Sequence, residues 1–156
     1  MKNKLIAWVA VASWMSIIFI LSHQPASVSS DLSSGITEFL LGIIADWFPG
    51  SDSRVEEFHT LVRKNAHFIA YFILGVLLVN ALGRWGELKG RVLMGAFAIS
   101  VLYAASDEFH QLFIAGRSGE VRDVLIDSAG AATGIVICWA GSLVAQKRKD
   151  GKKMKG

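Results

Sequence analysis

Residues 5–22 read LIAWVAVASWMSIIFILS, eighteen residues without a charge, preceded by Lys2 and Lys4 and closed by His23, Gln24 and Pro25. A run of that length crosses the hydrocarbon core of a bilayer as a helix. A cleaved signal peptide shares the basic start, and Pro25-Ala26-Ser27 offers small residues for cleavage. Signal h-regions, however, stop at about 7–15 residues, so the run is read as a retained span. Three further apolar runs follow it, Ala66 to Leu82, Val92 to Ser106 and Val124 to Ala145. The last two carry Gly and Ala among their apolar residues, as closely packed membrane helices do.

The composition agrees with this reading. The chain has 156 residues, 53% of them hydrophobic and 19% charged, with a mean hydropathy of +0.45. An ordinary soluble domain is about 45–50% apolar and about 25% charged. Disorder is excluded and a water-soluble globule disfavoured. The expected fold is an all-α integral membrane bundle of four transmembrane helices, spanning about 5–22, 66–82, 92–106 and 124–145, in a single domain over 1–156 with a basic tail at 146–156. Cys138 is the only cysteine, which rules out an internal disulfide and a cysteine-based zinc site. It lies deep in the fourth span without a charged neighbour in sequence and is read as structural.

Four spans put both termini on one side. That side would hold eleven of the sixteen basic residues and only Glu87 and Asp150 of the thirteen acids. The positive-inside rule then makes both termini cytoplasmic, and the formal charge of +3 divides into +9 inside and −6 outside. Nucleic acid is not an expected partner, because it needs a basic stripe on a folded surface. The tail Gln146 to Lys155 reads as a topology anchor, with anionic lipid of the inner leaflet as the alternative partner. Between the first two spans, Leu32, Ile36, Phe39, Leu40, Ile43, Ile44, Trp47 and Phe48 recur at helical spacing until Pro49-Gly50. That segment is expected to lie on the outer face as an amphipathic helix covering the bundle, or as a lid over a lipid-side pocket.

A core about 30 Å thick takes about 20 helical residues. Counting outward from each cytoplasmic end brings polar residues of all four helices to one depth. Ser22, His23 and Gln24 come from the first, and Lys64 and His67, with Tyr71 one turn deeper, from the second. The third supplies Asp107, Glu108, His110 and Gln111, and the fourth Asp123, Asp127 and Ser128. Residues three or four apart share a helix face, which groups Lys64, His67 and Tyr71, then Asp107, His110 and Gln111, then Asp123, Asp127, Gly130, Ala131 and Gly134. The link before the fourth span adds Arg117, Glu120 and Arg122, with Gly116 and Gly119 permitting a tight turn. Ionisable residues at membrane depth face the bundle interior or a water-filled cavity and mark functional sites.

Three chemistries fit this layer. As a binding site, Lys64, Arg117 and Arg122 would hold phosphate or carboxylate while the acids accept hydroxyl or amine protons. As a metal enzyme, Asp123 and Asp127 with Asp107 or Glu108 would hold Mg²⁺ or Mn²⁺ and polarise a phosphoryl group. As a metal-free enzyme, His67 would be the general base beside Asp107 or Glu108. Against all three stands a structural reading, in which Lys64, Arg117 and Arg122 neutralise the acids as interhelical ion pairs. No G-x-S-x-G turn and no phosphate-cradling Gly loop is present.

The motifs together resemble the VanZ-like family of bacterial membrane proteins over roughly residues 5–142. They are Ser22-x-Gln24-Pro25, Lys64-x-x-His67-Phe68-x-x-Tyr71, Ser106-Asp107-Glu108-Phe109-His110-Gln111 with Phe113 and Gly116-Arg117, and Arg122-Asp123-x-x-x-Asp127-x-x-Gly130. The resemblance implies a multi-pass plasma-membrane protein of the cell envelope and marks Lys64, His67, Asp107, Glu108, Gln111, Arg117, Asp123 and Asp127. It also implies a link with resistance to the glycopeptide teicoplanin, without a mechanism. The expected function is an outer-leaflet polar pocket for a lipid head group, a lipid-linked wall precursor or an amphiphilic glycopeptide, without a cofactor. A small membrane enzyme acting on a lipid phosphate and a structural partner in an envelope complex are the alternatives.

Overall fold

The computed structural model describes residues 2–28, 34–35, 55–83 and 88–153, with side chains described over 4–28, 34–35, 60–83 and 88–148. Four long helices account for most of them: α1 Lys2–Ser22, α2 Val55–Leu82, α3 Gly90–Gln111 and α4 Val121–Lys153. Each contains a segment long and apolar enough to cross a membrane, namely Lys4–Ser22, Thr60–Leu82, Gly90–Gln111 and Val121–Arg148. No strand occurs among the described residues. Apart from Ser34 and Gly35, the amphipathic segment expected from Leu32 to Phe48 lies outside the described residues.

Successive helices alternate in direction, so α1 and α3 end where α2 and α4 begin. α2 is the centre of the bundle and touches the other three. Its inward row is Tyr71, Leu74 and Leu78, all fully buried, at the three- and four-residue spacing of one helix face. The core is completed by Val11 and Ile18 of α1, Ala96 and Ala104 of α3, and Ala131 and Ile135 of α4. Leu5, Met94, Leu102, Leu125 and Val136 point outward and are more than half exposed. An apolar exterior of that extent is costly in water and matches lipid as the surrounding solvent.

Small residues fix how closely α2 and α4 approach. A Cβ added at Gly75 would stand 2.6 Å from the Ala131 carbonyl oxygen, and one at Gly130 or Gly134 would run into the main-chain oxygen of Phe68 or Phe72. Without lipid-excluding hydrophobic force between helices, such backbone proximity supplies the dispersion contact that holds them. Two hydrogen bonds fasten the middle of α1. The Trp14 indole N–H donates to the Ala70 carbonyl at 2.8 Å, and the Tyr103 hydroxyl donates to the Met15 carbonyl at 2.6 Å. The hydroxyls of Ser16, Ser100, Ser128 and Thr133 donate to carbonyls of their own helices four residues back, which removes the cost of an unpaired donor in hydrocarbon.

Three helices outrun their apolar cores. α3 continues past the apolar run that ends at Ser106, through Asp107, Glu108 and Gln111. α2 begins before Lys64 and His67. α4 starts ahead of Asp123 and carries most of the basic tail as a continuation of the helix to Lys153. The polar residues are thereby held on rigid elements.

Candidate functional site

At the end of the bundle where α1 and α3 finish, Ser22, the last residue of α1, donates its hydroxyl to Asp107 Oδ2 at 2.8 Å. The Gln111 side-chain amide donates to Asp107 Oδ2 at 3.4 Å and to Glu108 Oε1 at 3.3 Å. Glu108 Oε2 accepts the main-chain N–H of Glu120 at 2.9 Å. Gly119 makes that possible, since a Cβ there would lie 2.6 Å from the Glu108 main-chain oxygen. Asp107, Glu108 and Gln111 are all buried, and they lie on one α3 face through the three- and four-residue spacing.

Arg117 holds the layer together from the α3–α4 link. Its Nε donates to the Gln24 carbonyl at 2.9 Å, Nη1 to Gln111 Oε1 at 3.1 Å and Nη2 to the Leu21 carbonyl at 3.3 Å. Those carbonyls belong to the end of α1, where main-chain oxygens lack helical partners and a cation complements the helix dipole. Burial, followed by the nearby Arg63, lowers the guanidinium from its ordinary pKa, and Asp107 and Glu108 oppose them. The link itself is shaped by Gly116, at φ +75°, the one described residue with positive φ. The Ala26 N–H donates to the Ala115 carbonyl at 3.2 Å and joins the link to the segment after α1.

On the other side of the layer, His67 Nδ1 faces Asp127 Oδ1 at 3.6 Å, and Lys64 Nζ faces Asp123 Oδ1 at 3.6 Å. Asp127 is fully buried, and neither of its carboxylate oxygens has a hydrogen-bond partner. Asp107 Oδ1 and the hydroxyl of fully buried Tyr71 are likewise unpartnered. Unpaired polar atoms at this depth carry their full desolvation cost.

Of the residues expected from sequence, the structure brings His67, Asp107, Glu108, Gln111, Arg117 and Asp127 into one neighbourhood. Lys64 and Asp123 form a pair at its edge, and Arg122 is exposed. A metal set of Asp123, Asp127 and Asp107 is not the grouping seen; among the described residues the compact set is His67, Asp107, Glu108 and Asp127. Ser22 and Tyr71 were visible in the polar layer but not singled out as site residues. The carbonyls of Leu21 and Gln24 carry no sequence signal at all. His23 Nδ1 and His110 Nε2 stand 3.0 Å apart beside the Phe19 ring, a neighbouring contact that shares one N–H between two imidazoles.

A groove of about 280 Å³ opens sideways between α1 and α3, lined by Met15, Ser16, Phe19, Ile20 and Tyr103. Phe19 and Tyr103 lie one helical turn from Ser22 and Asp107, so the groove adjoins the polar layer.

Residues 7–144 match the family model described as VanZ/LLP1. No curated protein and no solved structure matches the chain.

Proposed function

The chain belongs to the VanZ/LLP1 family, and on that premise we propose that this multi-pass membrane protein serves the cell envelope. Its polar pocket, in the outer leaflet, binds the hydroxyl- or amine-bearing head of an amphiphile: a lipid head group, a lipid-linked wall precursor or an amphiphilic glycopeptide. The observation carrying this reading is the set of buried acceptors without a hydrogen bond, Asp107 Oδ1 and Asp127 Oδ2, with Asp127 Oδ1 met only by His67 at 3.6 Å. Of the three cations expected to hold an anionic head, Arg117 is bound to carbonyls and Gln111, Lys64 faces Asp123, and Arg122 is exposed outside the buried cluster. The free capacity is therefore for donors. The adjoining apolar groove suits an acyl chain of the same molecule. Charge distribution supports cytoplasmic termini and an outward-facing pocket.

The test is mass spectrometry of lipids retained by purified protein. Wild type retains a defined amphiphile and Asp107→Asn loses it; identical lipids on a folded Asp107→Asn variant sink the reading. A role in glycopeptide resistance is part of the same proposal, and expression in a susceptible bacterium should raise the inhibitory concentration of a lipoglycopeptide. The approach of His67 to Asp127 supports a second reading, a general base oriented by a carboxylate and acting on a lipid phosphate. Turnover of a lipid phosphate that disappears in His67→Gln distinguishes it from binding alone.

A further inference from the structure

His67, Asp107, Glu108 and Asp127 come from three different helices, yet one ligand atom from each lies within 4.8 Å of every other. Three carboxylates converge there, and Arg117 spends its hydrogen bonds on Gln111 and main-chain carbonyls, not on any of them. His67 is the one group of the set that could offer a positive charge, and only when protonated. Carboxylates gathered in a buried setting are expensive without a cation, and a divalent ion supplies one while leaving the imidazole neutral.

A group outside the acidic set bears on the same spot. Tyr71, fully buried and one turn along α2 from His67, has a hydroxyl with no hydrogen-bond partner and lies within electrostatic reach of Asp107, Asp127 and Glu108. A water carried by a metal ion would accept or donate to that hydroxyl. The supporting contacts are also those of a ligand shell. Ser22 and Gln111 occupy Asp107 Oδ2 while Oδ1 stays open, and Gln111 and the Glu120 N–H steady Glu108. Such outer contacts orient metal-binding carboxylates.

We propose that His67, Asp107, Glu108 and Asp127 bind one divalent first-row transition ion of the Mn²⁺ or Zn²⁺ class. The imidazole nitrogen argues against Mg²⁺ and Ca²⁺, which take oxygen ligands, and three carboxylates argue against copper. Bonds of about 2.1 Å put the ligand atoms of a tetrahedral ion about 3.4 Å apart, and adjacent ligands of an octahedral one about 3.0 Å apart, so the most widely separated side chains draw in by roughly 1–2 Å on binding.

The ion would occupy the Asp107 and Asp127 oxygens that the amphiphile reading assigns to donors, so a head group would meet the ion in place of the bare carboxylates; ion binding is measured in detergent without added lipid, so its failure is distinguishable from failure of that reading. Chelator-stripped full-length protein is exposed to equimolar Mn²⁺ or Zn²⁺ and desalted, and its metal is counted by mass spectrometry. Wild type retains about one ion per chain. Asp127→Asn and His67→Gln lower retention by about tenfold or more, whereas Glu120→Gln, whose side chain is exposed and which keeps the main-chain N–H, retains it. In the Mn²⁺ form, electron spin-echo spectra show imidazole nitrogen coupling that is lost in His67→Gln. If Asp127→Asn does not fold by size exclusion and circular dichroism, Glu108→Gln is judged by the same numbers. Four results overturn the proposal: no ion on folded wild type, undiminished retention in the folded ligand variants, equal loss in Glu120→Gln, or displacement of Mn²⁺ by equimolar Mg²⁺.

Discussion

Arg117 donates from all three guanidinium nitrogens, two of them to main-chain oxygens at the end of α1. Lysine keeps the charge but loses the planar fork, so it can satisfy only part of this set. Arg117→Lys is expected to lower stability by about 1–3 kcal/mol and to speed hydrogen exchange at the end of α1; thermal unfolding in detergent and exchange mass spectrometry read the two effects. Lys64 and Asp123 are a different case. Each side chain is 19% exposed and their charges are 3.6 Å apart, and a double-mutant cycle with Lys64→Met and Asp123→Asn should return about 1 kcal/mol or less. At this scale the sequence announced the side chains through their depth. It could not announce that Arg117 would choose carbonyls over the acids beside it in the layer, because main-chain acceptors are the same at every position.

Helix contacts depend on what is missing from α4 as much as on what is present. Gly130 and Gly134 lie against the α2 backbone, whereas nothing comes within 4 Å of a Cβ at Gly141. Gly134→Val should therefore force α2 and α4 apart and cost about 1–3 kcal/mol or more. Gly141→Ala should change stability by no more than about 1 kcal/mol, and unfolding in mixed detergent micelles compares the two. The apolar cores of all four helices were legible, and so was the small-residue spacing of α4. The helical row of Asp107, His110 and Gln111 was legible too, at the outer end of the third helix. Their partners were not: Ser22, Arg117 and the Glu120 N–H satisfy the polar groups that α3 carries past its apolar run.

For the whole molecule, the division of charge makes the topology testable. In a Cys138→Ser background, Glu120→Cys should react with a membrane-impermeant thiol reagent added to intact cells; reaction only after permeabilisation would invert the arrangement. Position 120 suits the purpose because Glu120 is exposed and lies between α3 and α4, and only its main-chain N–H serves the site. The alternating directions of the helices bring all of the polar ends together, so the layer follows from connectivity once four spans are recognised. Which of its acids cluster could not be read from spacing. Asp123 and Asp127 share a face of α4, but one turn of helix is enough to direct one to Lys64 and the other to His67.

The Arg117 clamp also bears on biosynthesis. It joins residues 93 and 96 positions apart in the chain, so α1 emerges from the ribosome long before its fastening exists. Ser22 gains Asp107 only with the end of α3, and the carbonyls of Leu21 and Gln24 gain Arg117 only with the link that follows. The pocket is accordingly assembled late, after the third helix has entered the bilayer. A nascent chain arrested ahead of Arg117 should hold the middle of the first helix through Trp14 and Tyr103 but leave its polar end loose, and completion of the link is the step that gathers that end in.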